Sequence, residues 1–369
     1  MSAHPSLLAS QAPDAALAAL ETLDDPTLQQ ELLQEVSRTF ALTIPQLPPK
    51  LRRTVSNAYL LCRTVDTIED EPHLAAADKR AWCERFHGVV SGREPVEPFA
   101  EQLGAALSSA TPAAEHRLIA LLPRVVAITR ALEPAERRAI ERCLDIMATG
   151  MAEFQNRDDR LGLPDMAALD RYCYVVAGVV GEMLTELFAA DDPLVAARRE
   201  RLLALAVRFG QGLQMTNILK DVWDDLPRGE CWLPRSVFAA AGVDLHRLDK
   251  SLPEPGFDAP LEQLVAVAHG HLAAALEYTL LIPPRQRGIR HFCLWALGMA
   301  LLTLRRIAAR PGYRSGQEVK ISRRSVRLTA AACRAAGGSD TALRLLFAAL
   351  ARGLPTTADT PLQHFEATD

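Results

Sequence analysis

Tyr59-Leu-Leu-Cys-Arg63-Thr-Val-Asp66-Thr-Ile-Glu69-Asp70-Glu71 reads as a helix with two unlike faces. Tyr59, Arg63, Asp66 and Asp70 follow one another at i, i+4, i+7 and i+11, so they share one side, while Leu60, Leu61, Val65 and Ile68 make the other apolar. Two carboxylates one helical turn apart repel unless a cation lies between them. A hard cation such as Mg²⁺ suits that spacing, because it takes oxygen ligands and is often held by one or two carboxylates plus substrate phosphates. The alternative is a solvated acidic helix end.

A second stretch repeats the theme about 150 residues later: Gln211-Gly-Leu-Gln214-Met-Thr-Asn217-Ile-Leu-Lys220-Asp221-Val-Trp-Asp224-Asp225. Gln214, Asn217, Asp221 and either Asp224 or Asp225 share a face, with Leu213, Ile218 and Val222 elsewhere. A polar stripe in apolar sequence is costly to bury without partners, so it marks either a site or a buried structural network. Two such helices facing each other across a cavity would bracket a diphosphate through bridging Mg²⁺, which helps break its bond to carbon.

The rest of the 369 residues supports an all-α protein. Length alone gives a prior of two or three domains. Hydrophobic residues are 49 % and aromatics 5 %, with Ala and Leu dominant, which favours helix over sheet. Helices are expected over 26–36, 49–70, 74–88, 98–109, 113–131, 134–156, 165–190, 193–226, 235–241, 259–282, 287–309, 322–336 and 339–352. Proline and glycine punctuate their ends, and no alternating run is long enough for a strand. Residues 1–25 read as a flexible leader, 26–352 as one helical domain and 353–369 as a tail.

The net charge of −4 argues against an electrostatic nucleic-acid binder. GxGxxG and GxxxxGK[ST] are both absent, so Rossmann and P-loop readings have no support. Seven scattered cysteines without a CxxC pair argue for a reducing, cytoplasmic compartment. The start lacks a signal peptide's basic region, and the longest uncharged apolar run, 292–304, is shorter than the ~20 residues of a membrane span. No transmembrane segment is expected, and a face touching membrane for product release stays open.

Taken in order, Ser37-Arg38-Thr39-Phe40, the Tyr59-to-Asp70 stripe, Tyr172-Cys-Tyr-Val-Val-Ala-Gly178-Val-Val-Gly181, the Gln214-to-Asp221 stripe and Arg228-Gly-Glu230-Cys-Trp-Leu-Pro234 resemble the squalene/phytoene synthase family. The likeness runs from about residue 26 to about 335. Gly150-Met-Ala-Glu153-Phe154, His291-Phe292-Cys293 and Val319-Lys320-Ile-Ser-Arg323-Arg324 look like its squalene-forming branch. Asp-Val-Trp-Asp-Asp stands where Asp-x-x-Glu-Asp is usual, Lys220 where Arg is common, and Tyr174 where His is frequent.

The resemblance implies an isoprenoid synthase fold, a single helical domain around a central cavity. It also implies Mg²⁺ on Asp66, Asp70, Asp221 and Asp225, and two farnesyl diphosphates joined head to head through presqualene diphosphate to squalene, with hydride from NADPH. Ser37, Arg38, Arg63 and Arg228 are then diphosphate ligands, since guanidinium forks match phosphate oxygens. Tyr59 and Tyr172 would steady the cation or guide its proton. Gln214 and Asn217 would position the second diphosphate or its metal, Phe292 would line the apolar end, and Lys320, Arg323 and Arg324 would hold NADPH phosphates. Gly178 and Gly181 either make room for prenyl chains or permit close helix packing. The rival outcomes are dehydrosqualene, phytoene, release of presqualene diphosphate, a cyclising terpene synthase and an inactive helical homologue.

Overall fold

The computed structural model describes residues 13–37, 39–154, 161–249 and 255–357. Among these residues the secondary structure is helical, apart from one isolated parallel bridge between Leu163 and Pro234. The chain divides into two compact units, each assembled from separated segments. The first holds 1–157, 179–203 and 286–292, and the second holds 158–178, 204–285 and 293–369.

In the first unit the Pro49–Asp70 helix lies inside a ring of others. Asp25–Val36, Leu122–Arg130, Pro134–Ala152 and Val179–Asp191 pack around it. Pro49 starts it at the position where a missing N–H costs nothing. From Thr54 to Ile68 it is buried on nearly every side. Only Tyr59, Arg63, Asp66 and Glu69 break that run before Asp70. Asn57 is fully buried and satisfied: its amide donates to the Val125 carbonyl at 3.1 Å and to Thr129 Oγ1 at 2.6 Å, and its oxygen accepts from Gln29 at 3.1 Å. A central helix of this kind keeps polar groups only where partners exist.

The second unit centres on the part of Arg199–Asp225 that begins at Ala204. A Cβ on Gly210 would stand 2.2 Å from the Ala177 carbonyl oxygen, and one on Gly212 would stand 2.9 Å from the Leu272 side chain. Glycine is therefore what lets this helix lie against its neighbours. At the Gly210 contact the partner is not α-helical: Tyr174–Gly178 forms one turn of π-helix, an insertion common at functional sites. A Cβ on Gly178 would meet Tyr174 at 2.9 Å and Val207 at 3.2 Å, so close packing accounts for this glycine.

The expected helices are present with several differences. The leader contains a helix, Pro13–Glu21, whose Ala16 and Leu20 are buried. The stretch 113–131 breaks at Leu121, where Pro123 follows, and 193–226 starts as the short turn Pro193–Ala196 before Arg199–Asp225. Residues 155, 156 and 1–12 lie outside the described residues. Three helical stretches, Met166–Asp191, Asp258–Leu281 and Arg287–Ala309, are long and apolar enough to cross a membrane. The 292–304 run underestimated them, because scattered polar residues interrupt it without much lowering the mean. In the last two, 61 % of the most apolar window is buried inside the protein, so that apolarity serves the core. All seven cysteines are unbridged and buried.

Candidate functional site

In the first unit the acidic stripe is built around Arg63. Its guanidinium lies 3.6 Å from Asp66 Oδ2 and 3.6 Å from Asp70 Oδ2, and it pairs closely with Glu115. Thr67 donates to the other Glu115 oxygen at 3.2 Å. Burial works against the arginine's charge, but Asp66, Glu115 and Asp70 together hold its pKa above the ordinary value. The Asp66 carboxyl is pushed up to about 7, first by burial; Arg63 opposes the rise, and Asp70, Glu115 and Glu69 add to it. Its side chain still exposes 36 % of its surface, and that of Asp70 exposes 65 %. Both carboxylates can therefore receive a ligand from outside.

Beside this stripe, Ser37 and Tyr59 come together. Ser37 Oγ accepts from the Phe40 amide at 3.0 Å, and Tyr59 packs on the Phe40 ring with centroids 5.1 Å apart. The Tyr59 hydroxyl donates to the Val36 carbonyl at 3.4 Å. Burial raises its pKa, with Ser37 acting the other way. Arg38 lies outside the described residues. Phe292 is buried edge-on against Phe188, centroids 6.1 Å apart.

The second stripe ends its helix. Lys220 Nζ lies 3.0 Å from Asp221 Oδ2, and Arg228 donates to Asp225 Oδ1 at 2.6 Å from the turn that follows. Asp225 is buried, and its carboxyl is pushed up to about 7: burial first, Arg228 opposing, then Asp221, Glu230 and Asp224 raising it further. Gln214 is half-buried, and Asn217 is exposed. Gly229 turns the chain at φ +86°, and the segment beyond carries Trp232. Tyr172 stacks on that ring nearly parallel, 7° between planes and 4.1 Å between centroids. Backbone bonds from Leu163 N to Leu233 O at 2.9 Å and from Arg235 N to Leu163 O at 2.7 Å fix the segment in place.

Over the second stripe runs the segment Arg310–Val319, where no motif or helical period marks the sequence before Val319. Tyr313 donates its hydroxyl to the Leu219 carbonyl, the Arg314 guanidinium sits 4.4 Å above the Trp223 ring, and Gly316 N donates to Asp224 Oδ2 at 3.0 Å. Lys320 follows directly, and Arg323 and Arg324 open the Arg323–Ala336 helix, all three exposed. Arginines in a first helical turn oppose the helix dipole, whereas an anion there is favoured. Glu115, Trp232, Tyr313 and Gly316 were missed. Only Trp232 had a signal, as part of the Arg228–Pro234 motif.

Among the described residues no three His, Cys, Asp or Glu side chains converge as a closed metal cage. Each stripe offers hard carboxylate oxygens in twos, which fits Mg²⁺ completed by phosphate oxygens and water.

The squalene/phytoene synthase family profile matches residues 33–325. Squalene synthase BSS of Botryococcus braunii is 32 % identical over 278 residues, 74 % of this chain and 57 % of its own length. Squalene synthase ERG9 of Candida albicans is 27 % identical over 294 residues, 76 % of this chain and 61 % of its own. The chain thus spans about three-fifths of the length of these relatives. A solved complex of TcSQS with a ligand superposes with a TM-score of 0.69 at 23 % identity, covering 89 % of this chain and 98 % of that one. The chain belongs to the squalene/phytoene synthase family and has the all-α isoprenoid synthase fold.

Proposed function

We propose that the protein is a Mg²⁺-dependent prenyltransferase that joins two farnesyl diphosphates head to head into presqualene diphosphate and reduces this to squalene with NADPH. The observation that carries the reading is that each unit carries a DxxxD carboxylate pair beside an arginine, with Asp66 and Asp70 open in the first and Asp221 partly exposed above a buried Asp225 in the second. Asp66, Asp70, Asp221 and Asp225 hold the metal. Mg²⁺ held there would supply Lewis-acid charge neutralisation to the leaving diphosphate.

Arg38, Arg63, Arg228 and Ser37 bind the diphosphate oxygens, and Gln214 and Asn217 orient the second diphosphate. The Tyr172 ring, held flat by Trp232, faces developing positive charge, and its hydroxyl guides the proton lost on ring closure. Tyr59 is assigned to steadying the cation, and Phe292 contributes to the dry apolar end. Lys320, Arg323 and Arg324 hold the phosphates of NADPH, which supplies the hydride of the second stage. A reducing cytoplasmic setting suits the seven thiols, and an oily product is released to a membrane surface.

The test incubates purified protein with farnesyl diphosphate and Mg²⁺, with and without NADPH, and identifies products by mass spectrometry. Squalene that depends on NADPH supports the reading. Dehydrosqualene with or without NADPH, or accumulated presqualene diphosphate, would replace its second stage. No condensation at all would overturn it.

A further inference from the structure

Resting on that reading, we propose that Asp224 and Gly316 form a tether that positions the Lys320–Arg324 cluster, so that Asp224 acts as a positioning residue and not as a metal ligand. Asp224 Oδ2 accepts the Gly316 amide at 3.0 Å. A Cβ on Gly316 would stand 2.8 Å from Asp221 Oδ1 and 2.9 Å from Asp224 Oδ2, so the backbone lies directly on both carboxylates with no side chain between. A side chain at this strap residue would push both carboxylates out of their present positions.

The strap is otherwise well anchored. Tyr313 is fully buried and bonds to the Leu219 carbonyl, and Arg314 covers Trp223. Glu318 folds back onto the Arg314 amide at 3.1 Å and pairs with Arg310 at 2.6 Å. Val319 is fully buried. What remains is the link at Gly316, which opens the single turn Gly316–Val319 leading straight to Lys320. The aspartate that replaces the usual glutamate in this motif is thereby accounted for. Its carboxylate already sits at hydrogen-bond distance from the strap, and one more methylene would drive the carboxylate into the backbone. The tether makes the basic cluster and the second acidic stripe one mechanical piece.

The test compares Asp224→Ala, Asp224→Asn, Gly316→Ala and Asp221→Asn in the full chain. Amide hydrogen exchange over 313–320 is read without ligands. Formation of presqualene diphosphate and of squalene is read across an NADPH series. Asn keeps an oxygen acceptor but loses the charge a metal needs. Asp224→Ala and Gly316→Ala should raise exchange in the strap about tenfold, the loss of one hydrogen bond. Asp224→Ala should raise the KM for NADPH by a similar factor with the first stage within about threefold of wild type. Asp224→Asn should stay near wild type in both readouts, whereas Asp221→Asn should lose the first stage. Unchanged strap exchange in Asp224→Ala would overturn the tether. Loss of presqualene diphosphate in Asp224→Asn, as deep as in Asp221→Asn, would make Asp224 a metal ligand instead. If no variant and no wild-type sample condenses farnesyl diphosphate, the functional reading fails while the exchange data still decide the tether.

Discussion

Asp66 and Asp225 carry their charge at a cost. Each is pushed up to about 7, chiefly by burial, with other carboxylates beside it. A neutral isostere removes that cost but also removes a metal-ligand charge. Asp66→Asn, Asp70→Asn, Asp221→Asn and Asp225→Asn should therefore fold, with a melting temperature equal to or above wild type. Turnover should drop ~100-fold or more, since Lewis-acid help of several kcal/mol is lost. Steady-state kinetics beside thermal melts check both halves, and wild-type turnover in Asp66→Asn or Asp221→Asn would remove the metal assignment. Glu71 is the opposite case. Its side chain is completely buried, and burial alone would raise its pKa. Hydrogen bonds from Thr111 at 2.6 Å, Ser108 N at 2.9 Å and His73 N at 3.0 Å outweigh burial and hold it down at about 2. A depressed carboxyl contributes stability that is present above its unfolded pKa, near 4.5, and lost as pH falls through about 2. Glu71→Gln places an amide N–H against a donor and should cost roughly 1–3 kcal/mol at neutral pH. Denaturant melts of the variant should also show less loss of stability between pH 4.5 and 2 than wild type.

Helices were legible where local chemistry sets them. Pro49 at a helix start, the Asp24 side chain accepting from Thr27 N at 2.9 Å and Ser339 accepting from Ala342 N at 3.3 Å are all written in adjacent residues. The 59–70 stripe was legible for the same reason, as a fixed helical period. Glu115 was not, because it meets Arg63 across 52 residues of chain, and Gly316 meets Asp224 across 92. The leader helix hid in the same way: Leu20 is buried only because tertiary packing covers it. The π-turn at Tyr174–Gly178 likewise lies at a distant contact, the approach of Gly210 to Ala177. That element contact is rigid on both sides, backbone against backbone. Gly210→Ala should destabilise by roughly 3 kcal/mol or more, an overpacking cost with no flexible side chain to yield. Gly312→Ala, where nothing lies within 4 Å and φ is not positive, should be neutral or slightly stabilising. Paired urea melts measure the difference, and equal stability of the two variants would discount the contact.

At the scale of the molecule, neither unit is a continuous piece of chain. The Pro134–Ala152 helix packs on Val179–Asp191, which returns to the first unit after a segment of the second. Nothing in the sequence marks this interleaving, because composition does not change where the chain crosses over. The proposed labour is divided the same way: the cofactor cluster belongs to the second unit only. Lys320→Ala with Arg323→Ala should thus still convert farnesyl diphosphate to presqualene diphosphate and lose squalene at limiting NADPH. Each missing phosphate contact should cost roughly 1.5–3 kcal/mol in cofactor binding. Product ratios across an NADPH titration check this, and equal loss of both stages would mean a folding defect.

The stack of Tyr172 on Trp232 has an optical consequence. The chain has four tryptophans, and Trp223 and Trp295 are buried in its core. Trp232 is half-buried and lies face to face with the tyrosine proposed to meet the substrate. Its emission should shift in colour and intensity when a non-hydrolysable farnesyl diphosphate analogue and Mg²⁺ enter, and Trp232→Phe should abolish most of that change while preserving the ring stack. The protein then carries its own fluorescent gauge of site occupancy, one that reports binding before any bond is made or broken.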